Sequence, residues 1–299
     1  MSPSPTQIFA PALFRRRLAR ANAAGVGSAD FLLRRAIADV DERLDVIKRD
    51  FAAIADIATP SPELARRLAA RFATAVVLRM APVAEPPVGG LAGAIVGDIE
   101  ALPLAAGAFD LAVSVLALQH ANDLPGALVQ IRRALKPDGL FLGCLLGGQS
   151  LHELRTALAA AESELYGGLS PRVAPFAEVR DMGGLLQRAG FALPVADSEP
   201  LTVRYADMFG LMADLRAMGG ANPLAARLRR PSTRGFFQRA AQIYAARFAD
   251  PDGRIRASFE LIFLSGWAPH ESQQKPLRPG SAKMRLADAL GTTEITPRE

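Results

Sequence analysis

The sequence predicts an α/β protein: a mainly parallel sheet with helices on both faces. Three observations carry this. Short apolar runs recur at 53–57, 75–78, 94–96, 109–115 and 140–146, each of strand length and without the alternation of a solvent-facing sheet. Helix-like runs lie between them at 62–73 and 125–135. Turn and cap residues bracket the second of these helices, with Asn122-Asp123-Leu124-Pro125 before it and Lys136-Pro137-Asp138-Gly139 after it.

Taken in order, residues 15–22 and 30–48 read as helices. In the second, Phe31, Leu32, Ile37, Val40, Leu44 and Ile47 recur at helical spacing, and Asp30 stands where it can cap the start. Five strands with their crossovers follow. The stretch APVAEPPVGGLAG, 81–93, is too rich in Pro and Gly for a long helix and reads as an eroded crossover. Beyond Gln149 the pattern turns helical at 150–166, 181–189, 206–218 and 233–248, and a late strand at 258–266 is expected to rejoin the sheet. The tail after Ser272, with Pro276, Pro279 and Gly280, reads as loosely ordered. The expected organisation is an N-terminal helical segment (1–49), an α/β core (50–148), a mostly helical substrate or cap region inserted after the fifth strand (149–257), and the late strand with its tail (258–299). In such a fold right-handed crossovers bring the C-terminal strand ends to one rim, where ligands bind.

Composition narrows the function. At 299 residues and 50% hydrophobic content the chain can bury a full core, and no apolar run reaches the length of a membrane span. The net charge of +5 comes largely from arginine, with basic tracts at Arg15-Arg16-Arg17 and from Arg227 to Arg234. These tracts are either solvated helix faces or surfaces for acidic protein, RNA or anionic lipid. Aromatic content of 6% does not favour nucleic acid. The single cysteine, Cys144, excludes an intrachain disulfide and fits a reducing, cytoplasmic compartment. It is a buried core thiol or, less simply, a nucleophile. The N-terminus has arginines and no acid before Asp30, a composition shared with mitochondrial presequences, but lacks the apolar core of a secretory signal.

The most informative segment runs from Gly97-Asp98-Ile99-Glu100, through the strand opened by Phe109-Asp110, to NDLPGAL and LKPDG. Together with Ile8-Phe9, Gly147-Gly148, Leu151-His152-Glu153-Leu154-Arg155, Ser170-Pro171-Arg172, Pro175-Phe176 and the run Gly266-Trp267…His270-Glu271-Ser272-Gln273, these residues resemble a known family. It is the Rossmann-like class I S-adenosylmethionine-dependent methyltransferases of the type-11 group. More narrowly, the chain is similar to the bacterial relatives of a methyltransferase-like mitochondrial complex I assembly factor associated with arginine hydroxylation. The resemblance spans about Gln7 to Ala282 and so takes the N-terminal segment into the folded protein.

The resemblance implies S-adenosylmethionine as cofactor and a methyl acceptor that is a small molecule or a protein. It also implies a possible protein partner from respiratory complex I. In the family an acid after the third strand bonds the adenine amine; Asp98 stands there, with Ile99 placed to pack on the ring. An acid ending the second strand takes the ribose hydroxyls; the matching residue is Met80, which has no oxygen to offer. The family's glycine turn is matched by Asp56-Ile57-Ala58-Thr59-Pro60-Ser61-Pro62, with Ala58, Pro60 and Pro62 where glycine is expected. A proline removes a donor and fixes φ, and a lost charge-assisted contact is worth about 1.5–3 kcal/mol. Leu116, ending the fourth strand, completes the cofactor group of Asp56, Ala58, Met80, Asp98, Ile99 and Leu116. For Asp56, Asp98 and Glu100 the alternative is helix capping.

His120, one place from the family's rim histidine, is the candidate general base; the alternative is a rim histidine bonding a backbone carbonyl. Gln149, Arg172, Tyr205 and Trp267 match positions expected to line a substrate pocket. His152 and His270 lack metal-ligand spacing, so no metal site is expected. Three readings follow: a methyltransferase with a degenerate cofactor loop, a non-catalytic assembly factor, and an arginine hydroxylase.

Overall fold

The computed structural model describes residues 7–25, 27–274 and 291. Its sheet has seven strands in the order β3-β2-β1-β4-β5-β7-β6. Strands β1 (Ala53–Ile57), β2 (Val76–Ala81), β3 (Gly93–Val96), β4 (Phe109–Val115) and β5 (Leu135–Leu146) are parallel. β7 (Ile255–Trp267) runs antiparallel to β5, and β6 (Ala192–Tyr205) runs antiparallel to β7. The direction of winding reverses between β1 and β4, so the crevice outside their C-terminal ends is the expected ligand position.

Eight α-helices complete the described chain: α1 (Pro11–Ala24), α2 (Phe31–Asp45), α3 (Glu63–Arg71), α4 (Leu124–Ala134), α5 (His152–Tyr166), α6 (Val179–Arg188), α7 (Met208–Ala217) and α8 (Arg234–Phe248). The core has two layers. Leu32, Ile37, Val40 and Leu44 of α2 pack with Leu64 and Leu68 of α3 and the buried faces of α5, α7 and α8 on one side of the sheet. On the other side, Leu128 and Ile131 of α4 and Met182 and Leu186 of α6 pack against Ile57, Phe141 and Leu145.

Local chemistry accounts for the helix starts. The carboxylates of Asp123 and Asp207 accept the N–H of Gly126 and Gly210, each at 2.8 Å, capping α4 and α7, and the Thr233 hydroxyl caps α8. Gly126 leaves room for this cap, since a Cβ there would stand 2.1 Å from the Asp123 carboxylate and push it aside. Asp30 makes no side-chain cap to α2; it pairs instead with Arg34 at 2.8 Å.

Three features differ from the sequence reading. LKPDG is a bulge within the β4–β5 ladder, because β5 opens at Leu135 and the register shifts between Phe109 and Leu111. α1 extends from Pro11 to Ala24, beyond the expected 15–22. β6, a 14-residue strand, lies inside the region read as helical. Pro194 and Pro200 and its charged residues hide it, and all are tolerated because β6 is an edge strand. His270 to Gln273 form a turn in which the His270 ring meets the Ser272 hydroxyl at 2.7 Å. Apart from Gly291, the tail after Gln274, read as loosely ordered, lies outside the described residues.

Candidate functional site

The turn after β1 is held by main-chain and side-chain bonds of its own. Ala58 takes φ +59°, the left-handed region that glycine enters freely, and its N–H donates to the Met80 carbonyl at 2.8 Å. Thr59 is buried, and its hydroxyl accepts the Val115 N–H at 3.3 Å. Pro60 and Ser61 then turn the chain toward α3, with the Ser61 hydroxyl accepting the Glu63 N–H.

Beneath this turn lies a charged cluster inside the core. Asp56 on β1 and Arg79 on β2 face each other in register, and neither has any exposed surface. Arg79 Nη1 donates to Asp56 Oδ2 at 2.5 Å, Nη2 to the Thr59 carbonyl at 2.9 Å, and the guanidinium forks onto Glu85 at 2.7 and 2.8 Å. Burial opposes the Arg79 cation, yet Glu85 and Asp56 more than offset it and its pKa stands above the ordinary value. Burial raises the Asp56 carboxyl to about 6, and the guanidinium limits the rise. Arg79 holds Asp56 Oδ2, while Oδ1 is buried without a hydrogen-bond partner among the described residues, and the side chain has no exposed surface through which to meet a ligand.

The remaining cofactor candidates are occupied too. Met80 is 1% exposed and packs in the layer with Ile57 and Phe109. Its sulfur comes so close to Gly97 that a Cβ there would sit 2.6 Å away, so the Met80 side chain fills the space beside β3. Asp98 is half-exposed; its carboxylate is ion-paired with Arg15 of α1 and accepts the Glu100 N–H at 3.0 Å. Ile99 packs against the second core layer. Glu100 accepts the N–H of Asn122 and of Asp123, tying the β3 loop to the start of α4. Arg15 thus pairs, at the surface, with the acid expected to meet adenine, and Met80 supplies no ribose acceptor. These residues do not fit S-adenosylmethionine bound in the family manner.

At the switch point the chain instead encloses a cavity of about 600 Å³. Pro60, Ser61 and Leu116 line it together with residues of α1, α2, α5, α7 and α8 and of the loops at 172–176 and 218–223. The lining is largely aliphatic and aromatic. Leu116 itself has a left-handed φ of +51° and donates to the Cys144 carbonyl at 2.7 Å. His120 and Gln119 reach the cavity from the short 3-10 turn after β4. The His120 ring lies 4.3 Å from the Phe14 ring and meets Phe9 edge-on at 5.8 Å, and burial lowers its pKa to about 4. It is therefore neutral near pH 7 and a weak base. Its Nδ1 has no hydrogen-bond partner, so it does not bond a backbone carbonyl through that atom. Arg172 lines the cavity while bound bidentately to Glu162 at 2.7 and 3.0 Å and lying over the Phe236 ring at 4.1 Å.

Of the residues singled out from the sequence, Leu116, His120 and Arg172 line this cavity. Asp56, Ala58, Met80, Asp98 and Ile99 do not. Three residues expected to line a substrate pocket stand away from this cavity. Gln149 is exposed after β5, its N–H donating to Glu260. Tyr205 ends β6 and is buried in the first core layer. Trp267 pairs with Leu140 at the start of the parallel run of β5, toward the opposite rim, with Arg49 over its ring. Among the described residues no three His, Cys, Asp or Glu side chains group as metal ligands. The sequence reading missed Arg79, although an arginine inside the apolar strand VVLRMA was the signal for a buried charge cluster. It also missed the cavity lining, which comes from helices and loops distant in sequence.

The family profile described as "Methyltransferase domain" matches residues 58–143. The zebrafish (Danio rerio) mitochondrial arginine-hydroxylase NDUFAF5 is 41% identical over 194 residues, covering 65% of this chain. That match spans only 60% of the zebrafish protein's own length. A malonyl-[acyl-carrier protein] O-methyltransferase from Methylovorus is 33% identical over 291 residues, 92% of each chain. Among solved structures, phosphoethanolamine N-methyltransferase 2 of Haemonchus contortus, with S-adenosylhomocysteine bound, superposes with a TM-score of 0.50 at 15% identity. It covers 86% of this chain and 60% of its own. At that identity the likeness is one of fold.

Proposed function

The chain belongs to the class I S-adenosylmethionine-dependent methyltransferase family of these relatives, and from that premise we propose that it works as a non-catalytic binding factor with its methyl-donor crevice closed. The observation that carries this reading is the Asp56–Arg79–Glu85 cluster, wholly built from the chain's own side chains, together with Arg15 on Asp98 and Met80 in place of a ribose acceptor. A polar ligand entering there would have to break charge-assisted bonds inside the core, each worth about 1.5–3 kcal/mol. The partner we propose is a protein, of the kind found among respiratory complex I subunits; the identity to the mitochondrial arginine-hydroxylases supports it. A cytoplasmic, reducing setting belongs to the same proposal. Cys144 is buried in β5, and burial raises its thiol pKa, which keeps it an unreactive core group.

Methyl transfer is the second reading. It is favoured by one observation: Pro60, Ser61 and Leu116, at the turns after β1 and β4, open onto the cavity rather than being sealed. Calorimetry with S-adenosylmethionine and S-adenosylhomocysteine separates the two. The binding-factor reading expects no saturable heat at millimolar ligand. Micromolar binding followed by methylation of any acceptor overturns it. Mass spectrometry of a co-purified partner adds the third arm: an added oxygen on an arginine identifies a hydroxylase, an added methyl group a methyltransferase, and an unchanged mass a binding factor.

A further inference from the structure

The two basic tracts, some 210 residues apart in sequence, meet in space. Arg17 of α1 donates to the Asn222 carbonyl, and Arg16 and Arg17 line a second cavity of about 450 Å³ with Arg227 and Arg229. Five of its eight lining residues are arginines and none is acidic. Arg172, one of the five, is already neutralised by Glu162, whereas the other four have no carboxylate partner among the described residues. Like charges held this close repel one another, so the arrangement has a standing electrostatic demand for an anion. Burial and the fields of Arg227, Arg16 and Arg20 accordingly lower the Arg17 pKa.

This basic cavity adjoins the apolar one. Arg172 and Asn222 line both. α1 forms a shared wall through helical spacing: Leu13, Arg16 and Arg17 lie on one face, while Phe14, Leu18 and Asn22 lie on the next. We propose that the two cavities form one binding site for an amphiphile with a phosphate head and an aliphatic tail. The arginine forks take the phosphate oxygens, a pairing their planar geometry suits better than lysine would. The tail enters between Phe14, Leu18 and Leu33 and displaces water from apolar walls. This site goes beyond the reading above and does not depend on it, since adenosyl binding and alkyl-phosphate binding are separate measurements.

The test is calorimetry on the full chain with octyl phosphate below its micellar concentration, octanol and inorganic phosphate. The site predicts that octyl phosphate binds at least about a hundredfold more tightly than either fragment, and that added salt weakens it. The double variant Arg17→Gln with Arg227→Gln loses octyl phosphate affinity by about ten- to a hundredfold while octanol binding is unchanged. Leu18→Trp, or Leu33→Trp should the first unfold, removes the advantage of the tail and leaves inorganic phosphate binding intact. Octyl phosphate binding no tighter than inorganic phosphate overturns the proposal, leaving a plain anion site. So does unchanged affinity in the arginine variant, or capture by phosphatidic acid vesicles with no binding of monomeric octyl phosphate.

Discussion

Arg79 stands opposite Asp56 in the β1–β2 ladder, with its Nη1 2.5 Å from Asp56 Oδ2 and neither side chain exposed. The pair lies beneath the turn at Ala58, where the family resemblance leads one to expect glycine. Glu85 and the Thr59 carbonyl take three further bonds from the guanidinium, through Nε and Nη2.

Arg79→Met should destabilise the fold by about 3–5 kcal/mol, because two carboxylates would be left in the core without a cation. Urea denaturation reads this directly. Adding Asp56→Leu should recover a large part of the loss, since an apolar pair tolerates the site better than an orphaned charge. No recovery would mean that Arg79 acts through packing rather than charge.

Ala58→Gly should stabilise the protein by up to about 1 kcal/mol, since φ +59° strains a residue with a Cβ. Thermal denaturation checks it. The same variant should gain no affinity for S-adenosylhomocysteine, because Arg79, Met80 and Arg15 remain in place.

The Glu162 carboxylate is held at about 2, against the effect of its own burial, by Arg172 and Ser170. Its folded pKa lies below the unfolded one, so its contribution is present above about pH 4.5 and is lost as pH falls toward 2. By linkage this amounts to about 3 kcal/mol at most. Denaturation midpoints measured across that window should fall with acid in the native chain and be markedly flatter in Glu162→Gln.

His120 should stay neutral to near pH 4 in a proton NMR titration, with its resonance assigned by His120→Gln. The unfolded chain takes up this proton first, so stability should decline as pH drops from 6.5 toward 4. A titration midpoint near 7 would restore His120 as a general base.

The parallel core was legible because β1, β4 and β5 are apolar runs bounded by strong turn residues, and Asn122-Asp123 marked the start of α4. β6 was not, because an edge strand needs no continuous apolar run. Its Asp197 and Glu199 are explained only by Arg43 and Arg35 of α2, more than 150 residues away. At the site, the resemblance singled out Asp98 and Ala58 by their places along the chain. It could not show that Arg15 lies on one and that Met80 receives the N–H of the other. Trp267 illustrates the same limit: a family-like dipeptide fixes the position in sequence, whereas strand direction decides which rim it reaches.

The closure of the donor crevice is tested most directly by a crystal structure grown with millimolar S-adenosylhomocysteine. The account predicts Arg79 on Asp56, Arg15 on Asp98, and no nucleoside beside β2. An adenine bonded to Asp98 with Arg15 swung away, and a ribose seated against a displaced Met80, would contradict it.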